Sequence, residues 1–376
     1  MSAIYKKLEE VCEILDSRRV PITAKNRKTG IYPYYGANGL QDYVAEYIFD
    51  DELVLLAEDG GNFGSKERPI AYRVSGKCWV NNHAHVLKAK PLVNADYLCY
   101  ALMFYDTEGL VNGATRQKLT QTAMRQMMIP YRNMTEQLQI ADEINQVIRL
   151  IDKRKEELSL LDQLVKSRFI ELFGDMYLNS LEWTEVSLES ISDIVSGITK
   201  GRKIKTAELR EVPYMAVSNV KNGYIDWTTV KTIEETEQEL NQYRLLPDDV
   251  LMTEGGDPDK VGRGAIIREP LENCIHQNHI FRVRFNERDI LPVFFAEYLQ
   301  HQRAKRYFLG CAKQTTGIAS INMKQLRNLP VLMPPLELQR QFAAFVAQTD
   351  KSKYLFYRLE HIRNNFNAML EFYMGG

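Results

Sequence analysis

The stretch LVLLAEDGGNFGSKERPIAYR, residues 53–73, decides how the chain is read, because VLMTEGGDPDKVGRGAIIRE, residues 250–269, answers it. Each is an apolar run that enters an acidic, glycine-rich turn and leaves through a basic segment. Alone, the first copy looks like a phosphate loop. A P-loop needs GxxxxGK[ST], where backbone N–H groups cradle phosphates and the hydroxyl holds magnesium. Here Gly60 to Lys66 reads GGNFGSK, with the spacing short and the serine before the lysine, and the second copy sets acidic residues beside any phosphate. Two equivalent loops that both miss the pattern predict tight turns instead, with Gly60, Gly61, Gly255 and Gly256 supplying positive φ.

The match extends outward. LEEVCEILDSRRVPI from Leu8 parallels LESISDIVSGITKGRKIK from Leu188, and YPYYGANGLQDYV from Tyr32 parallels VPYMAVSNVKNGYIDW from Val212. CWVNNHAHVLKA at Cys78 pairs with CIHQNHIFRVRF at Cys274. A segment from Asn94 ending TRQKLTQTAMRQMMIP matches one from Leu291 ending TTGIASINMKQLRNLP. Each copy then closes in a long helix pattern, MTEQLQIADEINQVI at Met134 and LELQRQFAAFVAQTD at Leu336. Six matches in one order establish an internal duplication, whose offset widens from about 180 to about 200 residues as loops differ in length.

Within a repeat, apolar runs at 52–57, 71–74, 79–80 and 86–89 alternate with Gly, Asn and Asp turns and predict strands. Helical patterns flank them at 97–105 and 293–307. The expected class is α/β of the α+β kind, two heads in tandem related by a pseudo-twofold internal repeat. No proline or glycine interrupts residues 135–173, where Ile144, Ile148, Ile151, Leu158, Leu161, Val165 and Leu172 form a coiled-coil-like stripe. A second stripe runs Leu338, Phe342, Phe345, Leu355, Leu359, Ile362, Phe366, Met369 and Tyr373. At about 1.5 Å per residue each rod would measure about 55–60 Å. A helix with one apolar face must bury it, so the two are expected to pair as an antiparallel coiled coil. The expected domains are 1–132 (first head), 133–178 (central helix), 179–333 (second head) and 334–376 (C-terminal helix).

Composition narrows the chemistry. Hydrophobic content of 45% and charged content of 26% suit a globular protein, and no run of about 18 apolar residues predicts a membrane span. The opening MSAIYKKLEEVCEI has no signal-peptide h-region. Cys12, Cys78, Cys99, Cys274 and Cys311 are scattered, odd in number and without CxxC, as expected of a reducing cytoplasm and not of a disulfide framework or zinc site. His83, His85, His276 and His279 fall on apolar strand patterns with no Asp or Glu cluster to complete a metal site, so packed, hydrogen-bonded histidines and no metal are expected. There is no GxSxG elbow, no cysteine with a His or Asn partner, no PD…(D/E)xK and no (N/D/S)PP(Y/F); no catalytic residues are assigned.

Binding remains. Net charge is −1, so a nucleic-acid role must rest on local patches. Such patches recur at matching places. Arg18, Arg19, Lys25 and Arg27 in the first copy face Lys200, Arg202, Lys203 and Lys205 in the second. Arg116 and Lys118 are matched by Lys313, Thr315 and Thr316. The glycine turns add Asn62, Ser65 and Lys66, and Lys260 and Arg263; further polar loop groups are Tyr35 and Asn38, and Asn219. Lys and Arg neutralise phosphates, while Arg, Asn and Gln address base edges. For any one residue the competing reading is a solvated surface side chain; clustering in equivalent loops carries the DNA reading. Two alternatives from other classes are a stand-alone nucleotide-dependent enzyme with a degenerate glycine-rich loop and a protein-binding coiled-coil scaffold.

In both halves, a variable head, a loop like AEDGGNFGS, a strand like WVNNHAHVL, a segment like ATRQKLTQTAMRQMMIP and a helix opening like MPPLELQRQFAAFVAQTDKSK follow in order. This resembles the specificity (S) subunit of type I restriction–modification systems along essentially the whole chain. The first half departs from it, reading IPYRNMTEQLQIA where the second has PPL. The resemblance implies two target recognition domains that each read half of a bipartite double-stranded DNA sequence. It implies a coiled-coil spacer that sets the gap and docks two methyltransferase subunits, with restriction/translocase subunits as further partners. No cofactor is then expected in this chain; S-adenosylmethionine, ATP and magnesium belong to the partner subunits. Leu160, Leu164, Phe169, Phe356 and Phe372 lie off the helix seam and are the candidate methyltransferase contacts, with core packing the competing reading.

Overall fold

The computed structural model describes residues 4–113, 116–201, 208–257, 260–286, 288–315, 318–356 and 359–374, with the side chains at 314–318 and 354–365 outside that description. The chain divides into two compact units, Met1–Glu156 with Phe356–Gly376, and Glu157–Leu355.

In the first unit, β1 (Ile4–Lys7), the one-turn helix α1 (Leu8–Val11), β2 (Cys12–Ile14), β3 (Thr29–Gly36), β4 (Gly39–Val44) and β5 (Phe49–Ala57) lead to β6 (Ala71–Val80) and β7 (Ala84–Ala89). Helix α2 (Ala95–Met103), β8 (Val111–Asn112), β9 (Lys118–Leu119), α3 (Gln121–Arg125) and β10 (Met128–Tyr131) precede α4 (Met134–Phe173), a helix of 40 residues. Six strands form one sheet in the order β2-β7-β5-β6-β3-β4. Its centre is β5, and the reason is legible in the run at 53–57. Val54 and Leu56 point into a core with Leu98 and Leu102 of α2, while Leu53 and Leu55 point into a second with Phe49, Val74 and Val86. A strand apolar on both faces belongs in the middle of a covered sheet, each fully buried Leu or Val contributing about 1.5–3 kcal/mol.

The second unit repeats this plan. Its elements are β11 (Thr184–Ser187), β12 (Ser192–Ser196), β13 (Arg210–Met215), β14 (Lys231–Glu235), α5 (Glu237–Tyr243), β15 (Val250–Thr253) and β16 (Gly255–Gly256). There follow β17 (Gly264–Ile266), β18 (Ile275–His276), β19 (Ile280–Phe285), α6 (Pro292–Tyr298) and α7 (Gln302–Cys311). Then come β20 (Lys313–Thr315), β21 (Ile318–Ser320), α8 (Met323–Arg327), β22 (Pro330–Met333) and α9 (Leu336–Phe356). The sheet orders are β12-β19-β15-β17 and β14-β13-β18. Joined through β17 and β18, they retrace the six-stranded order of the first unit. The long β6 is split because nine positions separate Ile266 from Ile275 where six separate Arg73 from Trp79, and the inserted stretch contains Pro270, which has no N–H to give a ladder.

Registers agree at the centre of the two sheets. Val54 faces Leu87 as Val250 faces Val283, and the parallel pairs Tyr34–Trp79 and Tyr35–Val80 recur as Tyr214–Ile275 and Met215–His276. The amide of Gln137 accepts from Asn94 N at 2.8 Å and donates to Arg132 O at 2.8 Å; Gln339 accepts from Leu291 N at 2.8 Å and donates to Pro334 O at 2.9 Å. A buried glutamine thus locks the start of each long helix to the residue just before α2 in the first unit and just before α6 in the second. The duplication is a duplication of structure.

The pattern at 293–307 is two helices, α6 and α7, and the C-terminal stripe is described as α9 and α10 (Leu359–Met374), residues 357–358 lying outside the description. Within the second unit α4 and α9 run antiparallel. Asp162 binds Lys353 at 2.6 Å, Arg168 sits over the Phe345 ring at 5.9 Å, and Phe173 meets the Phe342 ring at 5.7 Å. Within the first unit α10 packs on the head and on the start of α4, where Tyr373 Oη donates to Glu143 at 2.5 Å and Phe366, Leu370 and Met374 join Ile140 and Ile144 in the core. Among the described residues no helix is long and apolar enough to cross a membrane.

Candidate nucleic-acid interface

In the first unit the loops picked out by sequence converge. Asn81 N donates to Tyr35 O while His83 O accepts from Glu58 N, so the β6–β7 turn bridges the ends of β3 and β5. Asn38 Nδ2 donates to Gly60 O at 3.0 Å, tying the β3–β4 turn to the glycine loop. Gly60 has φ +63, the left-handed conformation the sequence led us to expect. Arg116 reaches in from the β8–β9 connection, 2.7 Å from Asp59 and 3.4 Å from His83 Nδ1. Arg27 lies over the Tyr34 ring at 4.1 Å and pairs with Asp42 at 3.3 Å. Arg116, Arg27, Asn81 and His83 line one open cleft.

Beneath the glycine loop is a charged cluster that the sequence reading did not foresee. The sequence offers no Asp or Glu cluster to complete a metal site with the histidines, yet in the fold Asp16 binds His85 Nδ1 at 2.6 Å and Asp59 binds His83 Nδ1 at 2.5 Å. The partners come from residues far away in the chain, where local spacing gives no signal. Asp16, Glu58 and His85 cluster closely enough to hold a metal ion, but their oxygens are already engaged. Arg19 and Lys118 meet Glu58 at 2.7 and 3.0 Å, and Val86 N and Gln121 bind Asp16, both at 2.9 Å. Burial alone would raise both carboxyls; the hydrogen bonds from His85 to Asp16, and from Arg19 and Lys118 to Glu58, outweigh it and hold both below the ordinary range. This is a saturated ion network under the loop.

The second unit keeps part of the device. Glu254 N bonds His279 O as Glu58 N bonds His83 O, and His279 Nδ1 lies 2.5 Å from Glu254. Ile321 N donates to Glu254 O as Leu119 N does to Glu58 O, which places Ser320 where the first unit has Lys118. The predicted match of Arg116 and Lys118 to residues 313–316 is therefore shifted by several positions. Gly61, Gly255 and Gly256 do not have positive φ. Gly255 and Gly256 are extended against Ser320 and Ala319, and a Cβ on Gly255 would lie 2.9 Å from Ala319 O. Their glycines serve close strand approach.

The candidate residues sort by geometry. Lys25, Lys66, Lys200 and Lys313 are exposed with no ion pair among the described residues. Arg18 is exposed over the Phe49 ring, and Lys260 pairs with Asp257. Asn62 donates to Pro69 O at 3.4 Å, the Ser65 hydroxyl accepts from Glu67 N and Arg68 N, and Tyr35 packs on Tyr72, so these shape the loops. Arg263 is half-buried beside β17. Two candidates are corrected. Asn219 is wholly buried, its amide spent on Ala216 N, Asp226 O and Thr229 Oγ1. Arg19 is held by Glu58, Asp16 and Ala84 O beneath the loop. Arg202, Lys203, Lys205 and Thr316, and the side chain of Thr315, lie outside the described residues.

Of the candidate partner contacts, Leu160, Leu164 and Phe372 are exposed, and the Phe356 side chain lies outside the description. Phe169 is corrected. It is fully buried between Phe173, Phe294 and Phe342, with ring centroids 4.8–5.5 Å away. Its own spacing held the signal: Val165, Phe169 and Phe173 are four residues apart and form a stripe of their own. Cleft residues that sequence reasoning passed over are Gln41, Asn81 and Asn82.

The family model of the type I restriction modification DNA specificity domain matches the chain twice, over residues 4–160 and 180–358; the chain belongs to this family. It is 26% identical over 353 residues to the putative type I restriction enzyme specificity subunit S.HindORF215P of Haemophilus influenzae, covering 91% of this chain and 86% of that one. It is 21% identical over 313 residues to the type I restriction enzyme EcoKI specificity subunit of Escherichia coli, covering 79% and 67%. Among solved structures, its fold resembles the type I restriction–modification S subunit from M. genitalium, with TM-score 0.58 and 15% identity over 98% and 96% of the two chains. The chain is therefore a DNA-specificity subunit: it supplies sequence recognition and is a non-catalytic component, and the nucleotide-enzyme and scaffold alternatives find no support.

Proposed function

We propose that each head reads one half of a bipartite target in double-stranded DNA, and that the long helices, acting as an antiparallel coiled coil, set the gap between the halves. The observation that carries this is the twofold occurrence, in one chain, of the same strand order, register and helix lock, each copy matching the DNA specificity domain. The domain division is proposed at 1–132, 133–178, 179–333 and 334–376. Exposed apolar side chains on the helices, Leu160, Leu164 and Phe372, support docking of two adenine methyltransferase subunits, with restriction/translocase subunits joining that complex. S-adenosylmethionine, ATP and magnesium would then act in those subunits, in the cytoplasm.

The test is binding of the chain, assembled with the methyltransferase, to random duplexes at several salt concentrations. Log affinity should fall linearly with log salt as phosphate counterions are released. Lys66→Ala should weaken all duplexes alike and lower the slope by about 1. Absence of DNA binding by the assembled complex contradicts the function; an unchanged slope removes Lys66 from the phosphate contacts.

A further inference from the structure

The cleft of the first unit has a volume of about 480 Å³, and its chemistry is not that of a phosphate site. Both of its arginines are tied to carboxylates, Arg27 to Asp42 at 3.3 Å and Arg116 to Asp59 at 2.7 Å, so little positive charge remains for an anion. Amides dominate instead. Asn81 is buried and fixed, its Oδ1 accepting from His83 N at 2.8 Å and its Nδ2 donating to Gln41 Oε1 at 3.1 Å. Gln41 is thereby held in one orientation, with Nε2 and the second lone pair of Oε1 unused among the described residues. Gly36 makes this placement possible, because a Cβ there would lie 2.3 Å from Gln41 Nε2. Asn82, next along the turn, is exposed, and its amide bonds nothing among the described residues. An amide offers one donor and one acceptor side by side, the complement of adenine N6 and N7 in the major groove.

We propose that this cleft takes the edge of one A·T pair of the half-site read by the first head, with Gln41 the principal reader and Asn82 beside it. The proposal rests on the reading that the head binds duplex DNA.

The test uses the full chain assembled with its methyltransferase subunits, wild type against Gln41→Leu, Gln41→Glu and Asn82→Ala, with methylated sites mapped in random duplexes. Gln41 and Asn82 are exposed, and Gln41→Glu keeps an acceptor for Asn81 Nδ2 that Gln41→Leu removes, so thermal unfolding of each variant is measured beside the mapping. Gln41→Leu should lose discrimination at one base position of one half-site by about ten- to hundredfold, the other half unchanged. Gln41→Glu should move the preference at that position from adenine toward cytosine, whose N4 donates to a carboxylate and which sets no N7 acceptor against it. An identical motif in all variants overturns the proposal. So does uniform weakening with an unchanged motif and a smaller salt slope, which marks a backbone contact. A wild-type complex that writes no two-part motif overturns the functional reading itself, and is distinguishable because it fails before any variant is compared.

Discussion

His276 is fully buried in the second unit, with Nδ1 3.2 Å from Ile280 O and Nε2 unpartnered among the described residues. Burial, and then the nearby Arg282 charge, lower its pKa from 6.5 to about 4. The sign follows. Above 6.5 neither state is protonated and stability is full; between 6.5 and 4 the unfolded chain takes up a proton that the folded chain refuses, so stability falls with falling pH. The loss should reach the order of 3 kcal/mol across that window. Val80 occupies the equivalent place in the first unit, so His276→Val is a substitution this fold already accommodates. The variant should flatten the pH dependence of thermal unfolding between pH 7 and 4.5; an unaltered profile would show that His276 is not the group responsible. A histidine on an apolar strand pattern was legible as a packed residue. Its orphaned nitrogen was not, because that depends on which side chains come to face it.

The long helices were the most legible elements: an unbroken apolar stripe fixes a helix with no knowledge of its partner, and α4 runs Met134–Phe173 against the expected 135–173. What the pattern could not divide was seam from head contact, since both are apolar at three-to-four spacing. Phe169 makes the point, being clamped by Phe294 of α6 and Phe342 of α9. Phe169→Ala should cost about 3–5 kcal/mol in denaturant unfolding. Leu164→Ala, exposed one turn away, should stay within about 0.5 kcal/mol. Equal costs would place the two residues on the same side of the interface and contradict the assignment. Strands were legible where apolar on both faces, as β5 is; the split of β6 into β17 and β18 in the second unit came with an insertion between them that holds Pro270.

At the scale of the molecule the duplication was the most informative signal, and it survived every loop of unequal length because hydrophobic strands and their registers are constrained while the loops are not. The binding loops were legible as sets of polar residues. Their internal pairing was not: Arg19 and Lys118 are drawn to Glu58, and Arg116 to Asp59, by contacts that only folding creates. Net charge near zero is set by composition, 48 basic against 49 acidic residues; folding decides only which of the loop cations are compensated locally. The central claim is that two copies of one head in one chain read two half-sites. The most direct measurement is single-molecule mapping of methylated adenines in DNA exposed to the chain assembled with its methyltransferase subunits. A two-part motif is expected, one methylated adenine in each part, with a gap of constant length. A single continuous motif, or two parts whose gap varies from site to site, would contradict it.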